Sequence, residues 1–560
     1  MAVLLDTRTA ADAPLAGEAL DKRAGWVAVA EDTTKHAFAG DAVFSNGRLA
    51  VVIRAKGSGA EVYSRAAEGW ALRAVLVPVN AAGAEASELS KAAIVENSSA
   101  AVAIEATYKA KGDAAADGIG LRIRISAGAA HLEVRAGRNA AKLLIRDKAR
   151  YIILPEFFTD DLVLDSTAAD ADCTGLPAGN MLLSLVGDND SSRAVIACMW
   201  QSAGQNADML TTRQGEKGLR TGLGCRIDLV KDKALWIAVI DGQGVWHSRT
   251  ASGKEAGTDI AMDWKPPFAA KWRADFFLST PRRLLAANVG LAATREFADA
   301  APPAAGETSG AWGCWFDGGR ASVRLGKWPS EDGSMTAVVY PIDRSKATPL
   351  TAYCVVDLMR DTLGYGPCQY VLDAEGLGAK DDATPDQVTR WVEKQLARPA
   401  AKREPDVIRE QLKLMAAQVK RVDERIAEYR QFATKARGLC GETASGRSDS
   451  GLGRKALVIL GRIHVGATGT GEAVSIPETV AKLADRMAVL AGADDALAKA
   501  QPICEQVRSI GLGQERMLAT MRVDVRRLDQ LCRMAAGDKG ADADLAAKLK
   551  SLAQEMLQKK

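Results

Sequence analysis

Three carboxylates follow one predicted strand closely. In Tyr151–Asp161 (YIILPEFFTDD) the strand ends at Pro155, and Glu156, Asp160 and Asp161 come after it around a pair of phenylalanines. Two carboxylates beside a cleft can act as acid and base in glycoside cleavage, or can bind a hard cation. A strand that ends in an acidic turn with an aromatic anchor gives the same pattern. The first interpretation predicts Glu156, Asp160 and Asp161 as catalytic residues, and we predict no metal site.

A second candidate site combines aromatic rings with a histidine and an arginine. Trp246, His247 and Arg249 stand close together, and Trp264 and Trp272 follow on either side of two prolines that enforce an extended chain. Aromatic rings stack on the apolar faces of sugars, and a histidine beside an arginine suits acid–base chemistry on a substrate with a carboxylate. Alternatively, the tryptophans fill a sandwich core and the histidine is a hydrogen-bonded surface residue. The functional interpretation predicts catalysis by His247 and substrate binding by the other four residues.

Two further segments carry aromatic and charged residues. Trp312 and Trp315 lie among glycines in GAWGCWFDGG, which suits either a ligand platform or a tight corner of a sandwich. Tyr340 and Arg344 lie in YPIDR, where they would act in β-elimination on a uronic acid or else join ion pairs that tie the last strands to the helical part. The functional interpretation predicts that all four residues bind substrate.

The composition excludes several classes of protein. A chain of 560 residues is too long for one core, and a hydrophobic content of 47% with 26% charged residues excludes wholesale disorder. The net charge of +3 is too small to predict nucleic-acid binding. No run approaches the roughly 18 apolar residues of a membrane span. No motif predicts a cofactor, and the nine cysteines, odd in number and without a CxxC pair, slightly favour a reducing compartment.

The N-terminus leaves the compartment open. Met1–Asp6 lacks the basic segment and the apolar core of a secretory signal. Either the protein stays in the cytoplasm, or the chain begins after a removed signal and the protein works outside the cytoplasm.

The chain changes character near residue 380. Ten of the eleven tryptophans precede this point, whereas only two aromatic residues follow Trp391. Before the break, short alternating runs separated by turns predict antiparallel sandwich strands. The strongest example is Ala42–Ile53, a hairpin in which Asn46 and Gly47 would form a type I′ turn.

Further apolar runs predict more strands. Three pairs of runs are predicted as hairpins: Leu121–Ser126 with His131–Arg135, Met181–Val186 with Ala194–Trp200, and Cys225–Val230 with Ala234–Ile240. Two later runs are predicted as single strands, Leu350–Met359 and Gln369–Leu372.

After the break the pattern is helical. Thr384 is predicted as the N-cap of a helix with Pro385 in its first position. The helix that begins near Pro405 carries apolar residues spaced alternately by four and three from Ile408 to Ala433, which is the a/d seam of a coiled coil. We predict four antiparallel helices that close on one another. An intermolecular coiled coil is the alternative, because an a/d stripe is narrower than a globular core usually needs.

These patterns predict a multidomain β + α protein, in which a large antiparallel β-sandwich-type N-terminal region precedes an antiparallel helical bundle with heptad-patterned helices. The predicted boundaries are an N-terminal arm at 1–24, a β-sandwich-type region at 25–297, a linker or long loop at 298–311, a continuation of the β region or a small second β domain at 312–380, and a helical bundle at 381–560.

No single motif determines a reaction, so two functions are predicted. The first is a carbohydrate-active protein, a glycoside hydrolase or lyase, which acts on a polysaccharide or oligosaccharide through a cleft lined by aromatic and carboxylate side chains. The alternative is a non-catalytic glycan-binding or surface-assembly protein whose helical bundle mediates oligomerisation or docking. Histidine is the most frequent general acid–base residue, and the presence of only four histidines favours the alternative.

Overall fold

The chain forms two compact units. The computed structural model describes residues 1–112, 118–158, 160–166, 173–176, 178–187, 194–201, 205–214, 219–255, 257–278, 289–291, 293–298, 313–317, 319–324, 334–377, 384–442, 448–465, 475–535 and 541–559. The first unit, here the β unit, is Met1–Glu156 with Asp160–Gly364, and the second, the helical unit, is Phe157–Thr159 with Tyr365–Lys560.

The β unit contains the strands of the described chain. In chain order they are β1 (Val3–Asp6), β2 (Val27–Ala28), β3 (Ala42–Ser45), β4 (Leu49–Ile53), β5 (Ala60–Ala66), β6 (Gly69–Asn80), β7 (Ala86–Asn97), β8 (Ala101–Ala110), β9 (Ile119–Ser126), β10 (His131–Ala136), β11 (Ala140–Arg146), β12 (Ala149–Leu154), β13 (Leu162–Asp165), β14 (Cys173–Leu176), β15 (Met181–Val186), β16 (Ala194–Trp200), β17 (Ala207–Gln214), β18 (Leu219–Asp228), β19 (Ala234–Asp241), β20 (His247–Ser252), β21 (Asp259–Ala261), β22 (Lys271–Leu278), β23 (Val289–Leu291), β24 (Ala293–Glu296), β25 (Gly313–Asp317), β26 (Arg320–Arg324) and β27 (Ser334–Asp343).

The helices are α1 (Gly17–Lys22) and α2 (Val355–Leu363) in the β unit, followed in the helical unit by α3 (Pro367–Ala374), α4 (Pro385–Leu396), α5 (Pro405–Leu439), α6 (Gly451–Val465), α7 (Ile476–Leu490), α8 (Ala496–Ala535) and α9 (Ala541–Gln558). Two short 3₁₀ helices are Gly253–Glu255 and Ala400–Lys402. No helix of the described chain is both long enough and apolar enough to cross a membrane.

Two ten-stranded sheets pack face to face in the β unit and form the large sandwich. Their strand orders are β14-β17-β18-β11-β6-β5-β4-β3-β1-β2 and β23-β13-β12-β15-β16-β19-β10-β9-β8-β7. Side chains from both sheets, among them Phe44, Leu143, Ile123 and Trp200, form one apolar core. All the pairings are antiparallel, as the alternating sequence pattern predicted, and the predicted β-sandwich type is confirmed.

The hairpin at residues 42–53 is confirmed, with a different turn. Strands β3 and β4 pair in register, but of the two central residues only Gly47 has a positive φ, of 85°. The Asn46 side chain instead accepts hydrogen bonds from the N–H groups of Arg48 and Leu49, at 3.0 and 2.9 Å. This local bond holds the turn in place of the type I′ geometry.

Two of the other three predicted hairpins are confirmed, and the third is wrong. Strands β9 and β10 pair, as do β15 and β16. By contrast, β18 pairs with β11 and β17 in one sheet, whereas β19 pairs with β10 and β16 in the other. The turn at Lys231–Lys233 therefore carries the chain from one sheet to the opposite sheet. Both arrangements place the apolar faces in the core, so the local pattern could not distinguish them.

A small sandwich follows within the same unit. Its sheets have the orders β20-β27-β22-β24 and β21-β26-β25, and a second apolar core lies between them. Strands before and after residues 298–311 pair with each other, as in β20 with β27 and β21 with β26. The segment predicted as a linker is thus a connection inside one sandwich; of that segment only Ala298 belongs to the described residues.

Two local predictions at the ends of the β unit are wrong. Residues 1–24 are not a loose arm, because β1 pairs with β2 and β3 inside the large sheet. The runs predicted as strands after residue 350 form α2 and α3. Their starts carry helix signals that outweigh the apolar content: the Asp357 carboxylate accepts the N–H of Cys354 at 3.1 Å, and Pro367 occupies the first turn of α3.

The helical unit confirms the predicted bundle, although the described residues after the break form the six helices α4–α9 in place of four. Thr384 caps α4 through a capping box with Gln387, and Pro385 is at the start of the helix. The a/d seam of α5, from Ile408 to Ala433, is almost completely buried. Helices α4, α6, α7, α8 and α9 of the same unit contact α5. An intermolecular coiled coil needs an exposed seam, so the seam does not support that alternative.

Candidate functional site

One face of the four-stranded sheet carries polar side chains. In β22, Arg273 and Asp275 alternate with apolar residues that enter the core of the small sandwich, so both point to the opposite face. Arg273 lies directly opposite Tyr340 of β27, and Asp275 lies directly opposite Thr294 of β24. The antiparallel register therefore brings these four side chains together.

Asp161 from the acidic segment joins this face. Its carboxylate accepts hydrogen bonds from the Tyr340 hydroxyl and from Nη1 of Arg273, which lies 3.3 and 3.2 Å from the two carboxylate oxygens. The carboxylate also accepts the backbone N–H of Glu156 at 2.7 Å. The backbone N–H of Asp161 donates to Oγ1 of Thr294 at 2.7 Å. Every oxygen of this carboxylate is thus satisfied from within the chain.

The Tyr340 hydroxyl joins two carboxyl groups. It contacts Asp161 and also lies 3.0 Å from Oδ2 of Asp275, whose Oδ1 accepts the Thr294 hydroxyl at 2.8 Å. A hydroxyl carries one proton and cannot donate to both carboxylates at once, whereas a protonated Asp275 supplies the second hydrogen. We call Asp161, Arg273, Asp275, Thr294 and Tyr340 the acidic cluster.

Electrostatics agree with a proton on Asp275. Burial raises the pKa of Asp275 well above its usual range, and the charge of Asp161 raises it further. Burial raises the pKa of Tyr340 as well, and the neighbouring carboxyl groups of Asp161 and Asp275 raise it further. Burial opposes the charge of Arg273, but Asp161 and its other acidic neighbours raise its pKa. Two buried carboxyl groups facing one guanidinium reach neutrality only if one carboxyl keeps its proton.

The other two predicted carboxylates lie at the margin of the cluster. Glu156 is buried and contributes its backbone N–H to Asp161, while Oδ1 of Asp160 accepts the N–H of Thr294 at 3.4 Å. The structure therefore brings the whole acidic segment to one place, with Asp161 at its centre. In the described part of the chain, no group of three or more His, Cys, Asp or Glu residues could hold a metal ion.

His247 lies on the other face of the sheet. It pairs with Val339, which belongs to the core of the small sandwich, whereas the next residue, Tyr340, points to the acidic cluster. Its Nε2 is 2.8 Å from the carbonyl of Met262, its ring stacks on Trp264, and burial lowers its pKa. The sheet separates His247 from Asp161, so the structure does not bring these two predicted catalytic residues together.

Four of the predicted substrate-binding tryptophans are core residues. Trp246, Trp264, Trp272 and Trp315 are at most 9% exposed. The indole N–H groups of Trp246 and Trp264 donate to backbone carbonyls at 3.0 and 2.9 Å, and the rings of Trp264 and Trp272 meet edge to face at 4.9 Å. Because their faces are covered by protein, the structure does not support the predicted stacking on sugar.

The two remaining arginines are in ion pairs. Arg249 lies 3.5 Å from Glu255 at a partly exposed position. Arg344 pairs with Asp357 at 2.9 Å and donates to backbone carbonyls before α2, so these contacts hold β27 to a helix within the β unit. The alternative proposed from the sequence joined the strands to the helical part instead. Trp312 lies outside the described residues.

Sequence reasoning missed Arg273, Asp275 and Thr294. A usable signal was present, because Lys271–Asp275 (KWRAD) alternates charged with apolar residues. In a strand, that alternation places Arg273 and Asp275 on one face. It does not indicate which other charges this face meets.

Comparison with known proteins adds little to this geometry. No protein-family model and no curated protein matches the chain. Among solved structures, it is similar to a glycoside hydrolase family 81 enzyme from Clostridium thermocellum, with 8% sequence identity and a TM-score of 0.13. The match covers 87% of this chain and 66% of that chain. A TM-score this low does not show a common fold.

Proposed function

We propose that this protein cleaves a polysaccharide and that the acidic cluster is its acid–base centre. The observation that supports the proposal is the Tyr340 hydroxyl shared by two buried carboxyl groups beside one guanidinium. Groups with displaced protonation equilibria concentrate at functional sites, because catalysis needs an acid and a base at the same pH. The class of substrate, a polysaccharide, is taken from the sequence prediction.

In hydrolysis the two carboxyl groups have different roles. Asp275 holds a proton that it can give to the leaving glycosidic oxygen, and Asp161 supplies the negative charge, as base or nucleophile. Carboxyl groups that share one hydroxyl lie at most about 6 Å apart, since each hydrogen bond spans roughly 3 Å. This upper limit is compatible with the roughly 5–5.5 Å of retaining glycosidases and is below the roughly 6.5–9.5 Å of inverting ones.

In elimination the same groups act on a uronic acid. Arg273 can neutralise the substrate carboxylate, which makes the hydrogen on the neighbouring carbon acidic. Asp161 then takes that proton, the bond from C4 to the glycosidic oxygen breaks, and Asp275 protonates the leaving oxygen. The products are a new reducing end and a sugar with a C4–C5 double bond.

Burial adds a requirement to either reaction. Asp161, Asp275 and Tyr340 have no exposed surface, so substrate reaches them only after covering parts of the chain move. The non-catalytic alternative is favoured by this same burial, because a closed and fully hydrogen-bonded cluster also suits a structural role.

The test is turnover on a panel of neutral and uronic-acid polysaccharides. Purified protein is assayed for new reducing ends and for the ultraviolet absorbance of the unsaturated product. We expect activity that Asp275→Asn and Tyr340→Phe each reduce by about 10²-fold or more. Asp343→Asn is the matched control, since Asp343 lies on β27 with Tyr340 but pairs with Lys271 and Arg360.

The outcomes separate the functions. Reducing ends with absorbance indicate a lyase, and reducing ends without it indicate a hydrolase. Glycan binding without turnover overturns the catalytic proposal in favour of the non-catalytic alternative. Equal loss in Asp343→Asn and Asp275→Asn, with folding confirmed by circular dichroism, also contradicts the assigned role of the acidic cluster.

A further inference from the structure

Two hydrogen bonds fix the direction of the Thr294 hydroxyl. The backbone N–H of Asp161 donates to Oγ1 of Thr294 at 2.7 Å, so this oxygen already accepts one hydrogen bond. Oδ1 of Asp275 lies 2.8 Å from Oγ1 and accepts the hydroxyl hydrogen. Because the carbonyl oxygen is the stronger acceptor of a neutral carboxyl group, Oδ1 is the carbonyl oxygen and the proton of Asp275 lies on Oδ2.

From Oδ2 of Asp275 a chain of hydrogen bonds leads to Asp161. Oδ2 is 3.0 Å from the Tyr340 hydroxyl, which donates its own hydrogen to the Asp161 carboxylate. Asp161 carries the negative charge, because Arg273 and the backbone N–H of Glu156 donate to it. The hydrogen bonds therefore all run in one direction, from Asp275 through Tyr340 to Asp161.

We propose that Asp275, Tyr340 and Asp161 form a proton relay, which Thr294 orients and which restores the acid after each turnover. This inference rests on the proposed function. At the end of the elimination, Asp161 holds the proton taken from the substrate and Asp275 has lost its own. Asp161 then gives its proton to the Tyr340 oxygen while the hydroxyl hydrogen of Tyr340 passes to Oδ2 of Asp275. Two O–H bonds break and two form, so the negative charge returns from Asp275 to Asp161 and no proton comes from solvent.

The relay favours one of the two reactions. In a retaining glycosidase the acid regains a proton from the water that it activates in the second step, so no relay is needed. In elimination the base gains a proton and the acid loses one. Asp161, Asp275 and Tyr340 have no exposed surface through which solvent could exchange these protons. The substrate class that the relay supports is therefore a polysaccharide of uronic acids.

Infrared spectroscopy tests the position of the proton without any turnover. The carbonyl stretch of neutral Asp275 is the band that wild-type protein shows at neutral pH and Asp275→Asn lacks. We expect Thr294→Val to move this band to higher wavenumber, because the carbonyl oxygen loses its donor, and Thr294→Ser to leave it in place. Thr362→Val is the control, since this buried hydroxyl donates to the carbonyl of Leu358 within α2 at 2.7 Å.

Two infrared results overturn the proposal. If Asp275→Asn removes no band, Asp275 is ionised and holds no proton to transfer. If Tyr340→Phe moves the band to higher wavenumber and Thr294→Val does not, the proton lies on Oδ1 and Thr294 does not orient the relay.

Pre-steady-state kinetics on a uronic-acid polysaccharide tests the transfer itself. Tyr340→Phe keeps the resting proton of Asp275 but cannot return it after use. We expect this variant to release about one product per protein molecule in a rapid first phase, which wild-type protein does not show. Its steady-state rate should then be about 10²-fold below that of wild-type protein. If the first turnover slows as much as the steady state, Tyr340 acts in bond cleavage and the relay is overturned.

The outcomes separate this inference from the proposed function. Ultraviolet-absorbing product without a rapid first phase in Tyr340→Phe leaves the acid–base centre in place and overturns the relay. New reducing ends without that absorbance support the proposed function as hydrolysis and also overturn the relay. Absence of turnover by wild-type protein on every polysaccharide contradicts the proposed function and the relay together, whatever position the infrared bands give for the proton.

Discussion

The two units each bury a tyrosine among carboxyl and guanidinium groups, but in opposite proportions. The acidic cluster of the β unit has two carboxyl groups and one guanidinium. In the helical unit, Glu375 faces two guanidinium groups, those of Arg425 and Arg522, and accepts the Tyr429 hydroxyl at 2.8 Å. We call Glu375, Arg425, Tyr429 and Arg522 the basic cluster.

The surplus charge is handled differently in the two clusters. Arg425 donates from Nη2 to two backbone carbonyls near the C-terminal end of α9, at 3.0 Å each. Burial and the neighbouring Arg526 lower the pKa of Arg522 to about 10, which leaves it charged at neutral pH. Asp275, by contrast, removes the surplus by keeping a proton. The same residue types therefore form a charged, hydrogen-bonded cluster when guanidinium groups are in excess. When carboxyl groups are in excess, one carboxyl group keeps its proton.

The largest expected effect comes from removal of the shared carboxylate of the basic cluster. Glu375→Gln removes the carboxylate that two buried guanidinium groups share and leaves Arg425 only the partly exposed Glu428. Breaking such a buried pair lowers the free energy of unfolding by about 3–5 kcal/mol. Urea unfolding followed by the helical circular-dichroism signal measures the change. A loss below about 1 kcal/mol would show that the two arginines do not depend on Glu375 and would contradict its role as their shared counter-charge.

A smaller effect is expected from Asp275→Asn in the acidic cluster. Below the unfolded pKa near 3.8 the replaced group is neutral in both the folded and the unfolded chain, so the loss of stability measured there should stay below about 1 kcal/mol. The pH dependence is the sharper measurement. Because the folded protein keeps a proton that the unfolded chain releases, this contribution to stability is complete below the unfolded pKa near 3.8 and is lost progressively as the pH rises towards the raised folded pKa.

The free energy of unfolding should fall by at most about 1.4 kcal/mol per pH unit through this titration, and Asp275→Asn should remove that slope. Asp147→Asn is the control, because burial raises the pKa of Asp147 to about 6 at a position outside the acidic cluster. That variant should remove only the part of the slope between about pH 4 and pH 6. An unchanged profile in Asp275→Asn would mean that Asp275 is ionised and that the cluster holds no proton there.

The smallest effect is expected at the exposed edges of both clusters. Glu296, 4.0 Å from Arg273, and Glu428, beside Arg425, have side chains that are 56% and 46% exposed. Exposed ion pairs contribute about 0–1 kcal/mol, so Glu296→Gln and Glu428→Gln should each change the free energy of unfolding by less than that. A loss in Glu428→Gln as large as that in Glu375→Gln would remove the distinction between the buried carboxylate and its exposed neighbour.

The candidate site was predicted only in part. Asp161 and Tyr340 were each identified, but in separate candidate sites, and nothing in the local pattern connected them. His247 was predicted to be catalytic in a further candidate site, and the pleat of β27 and its pairing with β20 place it and Asp161 on opposite faces of a sheet. The tryptophans were correctly recognised as a mark of the β region. Whether their rings face a ligand or a core depends on the second sheet, which a strand pattern does not specify.

By itself, the sequence determined the structural features that depend on interactions between neighbouring residues. The hairpin around Gly47, the Thr384 cap and the seam of α5 depend on residues within a few positions of one another, so turn, capping and heptad patterns were sufficient. Only the tertiary structure decided that β18 and β19 belong to opposite sheets and that Asp161 meets Tyr340. Tyr340 lies 179 positions from Asp161 and 65 from Asp275, and at that separation the partner is selected by the packing of whole sheets.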